Sequence, residues 1–306
     1  MDEKYGSSAL WEHYNATKLT EDSDLSDFKS SEINFKLALW DPGTNGVRYL
    51  KTLIHTLCSG LSPENWERLR RISGRGVGSP ITVSYDGEDV CLDYLMAVRE
   101  LEFIAGHTPL DGATVVEIGA GYGRTCHAIL SNHDVAAYHV VDLAPSLRLC
   151  RTYLAAVLDE ATLARIHFHG VEEAETLFRE TPFDLCLNID SFAEMHEDTV
   201  RAYLALVDAG CARFYVNNPV GKYLDPSLDG HSQGQELVSL ALSTGVLRDI
   251  VDIHDNRAVA ARGPVFVDAY RPGEGWICVA DDRNSLWPYY WQALYRNDAR
   301  DVRPGR

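Results

Sequence analysis

The stretch from Val115 to Thr125 reads V-V-E-I-G-A-G-Y-G-R-T and decides how the rest of the chain is organised. Two β-branched residues lead to Glu117, and glycines then alternate at Gly119, Gly121 and Gly123 before a helical pattern begins. This order predicts a buried strand, a tight turn and a helix. Glycines suit such a turn because it needs unusual φ values and because the backbone must come close to a ligand. A glycine turn without a cofactor is the alternative.

The spacing of the glycines separates two classes of nucleotide site. A dinucleotide-binding turn follows the pattern G-x-G-x-x-G. Here Gly123 comes one residue early, and Arg124 stands where that pattern has Gly or Ala. The spacing E-x-G-x-G-x-G resembles instead the first motif of class I S-adenosylmethionine (SAM)-dependent methyltransferases. Asp142, about 20 residues after the turn at the end of the next predicted strand, suits a ribose diol.

The resemblance implies SAM as the cofactor, bound by residues of the turn and of the neighbouring strand ends. Gly170-Val171-Glu172 lies where this superfamily contacts adenine, although acids at a helix N-terminus are also favoured by the helix dipole. The expected cofactor-binding residues are Glu117, Gly119, Gly121, Gly123, Asp142, Leu143, Val171, Glu172 and Asn188.

Composition narrows the class of protein. Hydrophobic residues make up 45% and charged residues 24% of the 306 residues, as in ordinary globular proteins. No apolar run is as long as a membrane span, and the N-terminus M-D-E-K-Y has no signal-peptide pattern, so we expect a cytoplasmic protein that does not bind membranes. The formal charge of −17 and the lack of a basic stripe argue against nucleic acid as the substrate.

The acidity itself has two interpretations, which are solubility and a negative field that gathers a cationic substrate. The seven cysteines are scattered and include no C-x-x-C pair, which argues against a disulfide framework and against structural zinc. Cys, His and carboxylate groups lack the tight spacing of a metal motif, so no required metal is predicted. Asp225 and Asp229, in a predicted loop, leave an opportunistic Mg²⁺ open.

Residues 1–110 are predicted to form a mainly helical N-terminal arm and cap. Residues 1–33 are polar with a few aromatic residues, such as Tyr5, and read as a loosely ordered arm. Caps of this kind either close over a substrate or form a dimer interface, so a homodimer stays open. The predicted elements are helices over Val47–Cys58, after Ser62-Pro63 and over Asp93–Ala105, and a hairpin that turns at Asp86-Gly87.

Residues 111–306 alternate strand and helix, which is typical of a doubly wound α/β domain. With the resemblance, this pattern predicts a seven-stranded Rossmann-like methyltransferase sheet. The aromatic-rich tail Trp276–Tyr295 is expected to pack on the cap. The predicted strands are the one that ends before Gly119, Ala137–Leu143, Arg165–His169, Phe183–Asp190, Ala212–Val216, Ile250–Ile253 and Val265–Ala269.

The fourth predicted strand brings polar side chains to the sheet edge where ligands bind in open α/β proteins. Methyl transfer needs an aligned nucleophile and a base for its proton. Asp190, Glu194 and His196 are therefore the candidate catalytic residues. Asp190 is favoured because it ends the strand, whereas His196 equally suits a surface residue that begins a helix. The reserve candidates are His231 and the pair His254-Asp255.

Four segments between residues 115 and 223 together resemble a bacterial sugar O-methyltransferase family of antibiotic and polysaccharide biosynthesis, with nanchangmycin-type enzymes among them. They read V-V-E-I-G-A-G-Y-G-R-T, Y-H-V-V-D-L-A-P-S-L, F-D-L-C-L-N-I-D-S-F-A-E-M and F-Y-V-N-N-P-V-G-K-Y. The resemblance implies a sugar or glycoside substrate. The chain is also similar to amino-sugar N-methyltransferases of the gentamicin pathway.

The methylated atom is open between nitrogen and oxygen. The charge of −17 favours a polycationic amino-sugar of an aminoglycoside, and hence N-methylation. The alternative is O-methylation of a deoxysugar hydroxyl, although Asn217-Asn218 stand where a more basic residue is expected in the O-methylating relatives. A non-catalytic partner that retains the fold is a third hypothesis, against which Asp190 and Glu194 argue.

Overall fold

The computed structural model describes residues 8–17, 29, 35, 38–230 and 232–300. Two strands, β1 (Thr82–Tyr85) and β2 (Glu88–Cys91), form a separate antiparallel hairpin. Seven further strands form the central sheet. They are β3 (Thr114–Ile118), β4 (Ala137–Asp142), β5 (Ile166–Gly170), β6 (Leu185–Ile189), β7 (Arg213–Pro219), β8 (Trp276–Arg283) and β9 (Tyr290–Asn297).

Helices precede the sheet and connect its strands. In chain order they are α1 (Ala9–Thr17), α2 (Pro42–Ser59), α3 (Pro63–Arg71), α4 (Leu92–His107), α5 (Arg124–Leu130), α6 (Ala144–Val157), α7 (Glu160–Leu163), α8 (Ala174–Glu180), α9 (Glu197–Gly210), α10 (Pro226–Asp229), α11 (Gln235–Leu242) and α12 (Asn256–Ala269). Two short 3-10 turns, Val171–Glu173 and Ser191–Ala193, follow β5 and β6.

The strand order β5-β4-β3-β6-β7-β9-β8 places the change of direction between β3 and β6. The strands from β5 to β7 are parallel, whereas β9 runs antiparallel to β7 and β8 antiparallel to β9. The predicted doubly wound, seven-stranded, Rossmann-like fold is therefore confirmed. In such a sheet the carboxyl ends of β3 and β6 border the crevice where ligands bind.

The two faces of the sheet are covered by different helices. One face packs with α8, α9 and α12 around Phe178, Val207 and Phe266. The other packs with α4, α5 and α6 around Leu101, Ile129 and Leu154. Helix α4 thus belongs to the core of the sheet as well as to the front third of the chain. The division into a cap and a catalytic domain at residue 110 stays a prediction.

Local sequence signals explain the predicted elements of the front third. The side chain of Ser62 accepts a hydrogen bond from the Asn65 backbone N–H at 3.1 Å, and Pro63 begins α3. Asp86 and Gly87 have φ values of 51° and 84°, as the two-residue turn of a hairpin requires. Helix α4 ends at His107, two residues beyond the predicted end at Ala105, and Gly106 lies within the helix.

Two predicted strands are wrong. Val265–Ala269 lies inside α12, which begins after Asp255 because the Asp255 side chain accepts a hydrogen bond from the Arg257 backbone N–H. Ile250–Ile253 forms only a single bridge, between Ile250 and Lys222. A short apolar run does not distinguish a buried helix from a strand, and this ambiguity explains the error at Val265–Ala269.

The last two strands of the sheet are β8 and β9, which come from the aromatic-rich tail. Part of that tail does pack on the cap, because Leu286 belongs to the hydrophobic cluster of α2, α3 and α4 and Trp287 donates to the Met96 sulfur. The predicted N-terminal arm, with Tyr5, falls mostly outside the described residues; residues 8–17, which include α1, and residue 29 are its described parts. Over the described parts of the chain, the structure contains no helix with the length and apolar character of a membrane span.

Candidate active site

A cavity of about 790 Å³ lies at the carboxyl ends of β3, β4 and β6. The glycine turn after β3 and Asp142 at the end of β4 line one part of it. Asp190 and Glu194, after β6, line another. The sheet topology thus brings together most of the residues that the sequence indicated, because the ends of adjacent parallel strands meet at one edge.

The three glycines of the turn have left-handed φ values of 76°, 58° and 92° but play different parts. A Cβ on Gly119 would collide with the Ser191 side chain. A Cβ on Gly121 would meet no described atom within 4 Å, so this backbone is open to a ligand. A Cβ on Gly123 would lie 2.9 Å from the Cys150 sulfur, so Gly123 packs α5 on α6 and does not line the cavity.

Asp142, at the end of β4, is hydrogen-bonded to the backbone of the glycine turn. Its Oδ2 accepts a hydrogen bond from the Gly121 backbone N–H at 2.9 Å, and its Oδ1 accepts one from the Leu143 backbone N–H at 2.7 Å. Leu143 and Val171 line the cavity beside it with apolar side chains that are 60% and 40% exposed. Glu172 is exposed and does not belong to the lining.

Glu117 lies under the glycine turn and is 2% exposed. The Tyr138 hydroxyl donates a hydrogen bond to Glu117 Oε2 at 2.7 Å. Burial raises the pKa of Glu117 to about 7, against the opposing effects of Tyr138 and of the Arg124 guanidinium. An acid with this pKa is readily converted to its charged form by a bound cation.

Asp190 has a φ of 67°, which is unusual for a residue other than glycine. Its backbone N–H donates to the Asn217 carbonyl at 2.8 Å, and the Tyr290 hydroxyl donates to its Oδ1 at 2.6 Å. Strained backbone of this kind persists where surrounding contacts impose it, often at functional sites. Burial and the Asp190 carboxylate raise the pKa of Tyr290, so its hydroxyl stays protonated and acts as a donor.

Glu194 lies near Asp190 and near Lys222. Burial and the Asp190 charge raise the pKa of Glu194, whereas the Lys222 charge lowers it. Lys222 is 9% exposed, and its Nζ donates to the Ala193 carbonyl at 2.8 Å and to Thr244 at 3.0 Å. Burial lowers the pKa of Lys222. Lys222 therefore stabilises the segment between Asp190 and Glu194 through its hydrogen bond to Ala193, although Lys222 itself does not line the cavity.

Asn188 and His196 do not line the cavity, and their side chains make structural contacts instead. Asn188 is fully buried, and its amide donates to the Ile118 carbonyl at 3.0 Å and to the Ser191 hydroxyl at 2.6 Å. The His196 side chain is 70% exposed, and its Nδ1 accepts the Asp198 backbone N–H at 3.3 Å, so it begins α9 as a helix cap.

The reserve candidates that the structure describes, His254 and Asp255, do not join this site. His254 is exposed and does not line the cavity, and Asp255 begins α12. His231 lies outside the described residues. Asp225 begins α10, where its side chain accepts the Ser227 backbone N–H at 2.9 Å. The side chain of Asp229 is not described, and the described residues contain no cluster of His, Cys or carboxylate groups arranged to hold a metal.

An aromatic wall, formed by Trp287, Tyr289 and Tyr290, lines the cavity from the end of the β8–β9 connection and the first residue of β9. The ring centroids of Tyr289 and Tyr290 lie 5.0 Å apart, and those of Trp287 and Tyr289 lie 6.1 Å apart. Trp287 Nε1 donates to the sulfur of Met96, on α4, at 3.0 Å. These residues were not among the predicted site residues, and their only local signal is the aromatic content of the tail.

A buried polar network connects α4, α5 and β7 beneath the cavity. Arg124 Nη2 lies 2.9 Å from Glu100 Oε2, and the side chains of the pair are 14% and 1% exposed. The Asn217 amide donates to the other oxygen of Glu100 at 3.1 Å. Asn218 donates to Asn188 at 2.8 Å. Asn217 lines the cavity, whereas Asn218 supports the strand ends.

No protein-family model and no curated protein matches the chain. The chain is similar to several solved structures. A cyclopropane synthase from Mycobacterium tuberculosis is 12% identical, with 78% of this chain and 95% of that chain covered and a TM-score of 0.47. A geranyl diphosphate methyltransferase solved in complex with SAM is 13% identical, with 67% and 87% covered and a TM-score of 0.44.

A pyocyanin biosynthetic protein is 14% identical, with 88% of this chain and 71% of that chain covered and a TM-score of 0.44. At these identities and TM-scores the likeness carries no argument about activity.

Proposed function

We propose that the chain transfers a methyl group from SAM to an amino group of an amino-sugar, in an aminoglycoside antibiotic or one of its biosynthetic intermediates. The observation that carries the proposal is that one continuous cavity of about 790 Å³ extends from the glycine turn and Asp142 to Asp190 and Glu194. Its volume lies within the range of about 300–1,000 Å³ that is typical of small-molecule sites. One cavity thus offers both a cofactor side and an acceptor side.

The cofactor side fits SAM. The open backbone at Gly121 admits a ligand, and each Asp142 oxygen retains a second lone pair for a ribose hydroxyl. The apolar Leu143 and Val171 suit the faces of an adenine ring. Glu117 suits a cationic amino group. When bound there, SAM supplies an electrophilic methyl group on a sulfonium sulfur.

The acceptor side fits an amine. An amino-sugar arrives mainly as an ammonium ion, which has no lone pair for the attack on the methyl group, so one proton must first be removed. Asp190 is the proposed base. Tyr290 holds Asp190 Oδ1, which leaves Oδ2 for the substrate proton, and Tyr290 itself cannot serve as the base because it stays protonated. Glu194 adds a second carboxylate that attracts the cation.

The cofactor assignment is tested by isothermal titration calorimetry with S-adenosylhomocysteine. We expect Asp142→Ala to weaken binding by about 1.5–3 kcal/mol, since a charged hydrogen-bond acceptor is lost. Asp225→Ala is the matched control, because Asp225 also caps a backbone N–H but does not line the cavity. If Asp142→Ala binds as tightly as wild type, Asp142 does not contact the cofactor.

The reaction is tested by incubation with SAM and a panel of aminoglycoside intermediates and deoxysugar glycosides, with mass spectrometry to detect a gain of one methyl group. We expect methylation of the amines, and Asp190→Asn should lower turnover at least about tenfold with little change in cofactor affinity. Methylation of the deoxysugar hydroxyl alone would support O-methylation, and no methylation in the presence of cofactor binding would support a non-catalytic protein.

A further inference from the structure

Asn217 is a buried amide with one unused hydrogen-bonding atom. The residue is fully buried and lines the cavity near the end of β7. Its Nδ2 donates to Glu100 Oε1 at 3.1 Å, whereas its Oδ1 has no hydrogen-bond partner among the described residues. A buried polar atom without a partner is costly, and it is expected to find one when a ligand binds.

The orientation of this amide is determined by its neighbours. Glu100 is ion-paired with Arg124, and a carboxylate can only accept hydrogen bonds, so the NH₂ group of Asn217 must face Glu100. The carbonyl oxygen of the amide therefore takes the remaining position. The backbone bond from Asp190 N–H to the Asn217 carbonyl, at 2.8 Å, places this residue beside the proposed base.

We propose that Asn217 Oδ1 accepts a hydrogen bond from the N–H of the acceptor amine, and that Asn217 thereby selects amines over hydroxyls. The inference rests on the proposed function. After Asp190 has removed one proton from an ammonium group, two N–H donors remain, and Asn217 Oδ1 can hold one of them. A hydroxyl that donates its single proton to Asp190 has none left for Asn217. Its oxygen would face the amide oxygen and leave that acceptor unpaired, which is the basis of strong discrimination in polar sites.

The test measures acceptor binding without turnover. The probes are methyl aminodeoxyglucosides with the amine at position 2, 3, 4 or 6, each compared with methyl glucoside by titration calorimetry in the presence of S-adenosylhomocysteine. We expect wild type to bind at least one of the amines about tenfold more tightly than methyl glucoside, a factor that corresponds to about 1.4 kcal/mol.

Two variants remove the amide oxygen. Asn217→Thr keeps a hydroxyl that can donate to Glu100 but has no oxygen at the δ position, and Asn217→Leu removes both polar groups. We expect both variants to lose about tenfold in affinity for the preferred amine and less than about threefold for methyl glucoside. Asn218→Leu is the matched control, because Asn218 is equally buried but bonded at both amide atoms and absent from the lining. It should leave the ratio of the two affinities unchanged.

The outcomes separate this inference from the proposed function. An unchanged preference for the amine in both Asn217 variants, or no preference in wild type, would overturn the role of Asn217. Loss of both ligands by the same factor would show a structural role and would overturn it as well. Absence of S-adenosylhomocysteine binding by wild type would overturn the proposed function, and the amine preference would then be measured on the cofactor-free protein.

Discussion

At the scale of single residues, the same residue type serves different purposes within one turn. Gly119 makes room for the Ser191 side chain, Gly121 faces open space in the cavity, and Gly123 makes room for α6. All three have left-handed φ values, so each is strained on substitution, but only Gly121 is expected to matter chiefly through the ligand.

Gly121→Ala and Gly119→Ala should therefore differ. We expect Gly121→Ala to fold with a loss of about 1–2 kcal/mol from backbone strain, and to bind S-adenosylhomocysteine at least about tenfold more weakly because the methyl group enters ligand space. Gly119→Ala should lose more stability because it also displaces Ser191. Denaturant unfolding and calorimetry measure the two effects.

Gly87→Ala is the control for strain alone. Gly87 has a φ of 84°, and a Cβ there meets no described atom within 4 Å, but it lies in the β1–β2 turn and not in the cavity lining. If Gly121→Ala binds S-adenosylhomocysteine as Gly87→Ala does, the turn does not approach the cofactor.

Glu117 makes stability depend on pH. Its pKa is raised from 4.5 to about 7 in the folded protein, so the folded state retains a proton that the unfolded state has lost between these values. The associated stability is fully present below pH 4.5 and is lost as the pH rises through 7. Glu117→Gln keeps an acceptor for Tyr138 and has no proton to lose.

We expect the cofactor-free Glu117→Gln variant to gain stability relative to wild type as the pH rises from 4.5 to 8. The gain should reach about 3 kcal/mol, since each unit of pKa shift corresponds to about 1.4 kcal/mol. Denaturant unfolding of both proteins at several pH values measures this difference. A difference that does not vary with pH would show that Glu117 is ionised in the folded protein throughout this range.

At the scale of elements, the C-terminal region departs most from the sequence analysis. Helix α12 covers the sheet through Gly263, where a Cβ would lie 2.6 Å from the ring of Trp291 on β9. The Tyr295 hydroxyl donates to the Val267 carbonyl at 2.8 Å and ties the same strand to the same helix. The helix and the β8–β9 hairpin thus form one packed unit, which presents the aromatic wall to the cavity.

Gly263→Ala tests this packing. Alanine favours a helix over glycine by about 1 kcal/mol, yet here we expect a net loss of about 1–3 kcal/mol because the methyl group meets the Trp291 ring. Gly106→Ala is the matched control, since Gly106 lies in α4 and its Cβ would meet no described atom within 4 Å. That variant should become more stable, and a stabilised Gly263→Ala would contradict the contact with Trp291.

At the scale of the whole molecule, the negative net charge of the chain matches the acidic lining of the cavity. The chain has a formal charge of −17. The described residues of the cavity lining include one cation, Arg124, which is paired with Glu100. The acids of the lining are Asp93, Glu117, Asp142, Asp190 and Glu194. Such a cavity concentrates field lines and attracts cationic ligands.

Salt should therefore weaken the capture of a cationic acceptor. The screening length falls from about 10 Å at 0.1 M to about 3 Å at 1 M ionic strength, so we expect kcat/KM for an aminoglycoside to fall several-fold over that range. The affinity for neutral methyl glucoside serves as the control and should change little. If capture of the amine does not depend on salt, electrostatic attraction of the substrate does not explain the acidity of the chain.

The sequence by itself determined the structural features that depend only on residues close together in the chain. The strand, glycine turn and helix around Gly121, the end of β4 at Asp142 and the end of β6 before Asp190 follow from hydrophobic pattern and turn chemistry, which act within a few residues. The parallel order of these strands then brings their ends to one edge. For this reason the fold class was predictable, and most of the predicted site residues line the cavity.

Tertiary structure decided the contacts between distant segments. Tyr290 meets Asp190 across 100 residues, and Asn217 meets Glu100 across 117. Neither pairing has a local signal, because it depends on which strand joins the sheet edge next to β7 and on which helix packs below it. The apolar run Val265–Ala269 suits a strand or a buried helix equally by its composition, and in the folded chain it lies in α12, where Phe266 is buried in the core on one face of the sheet.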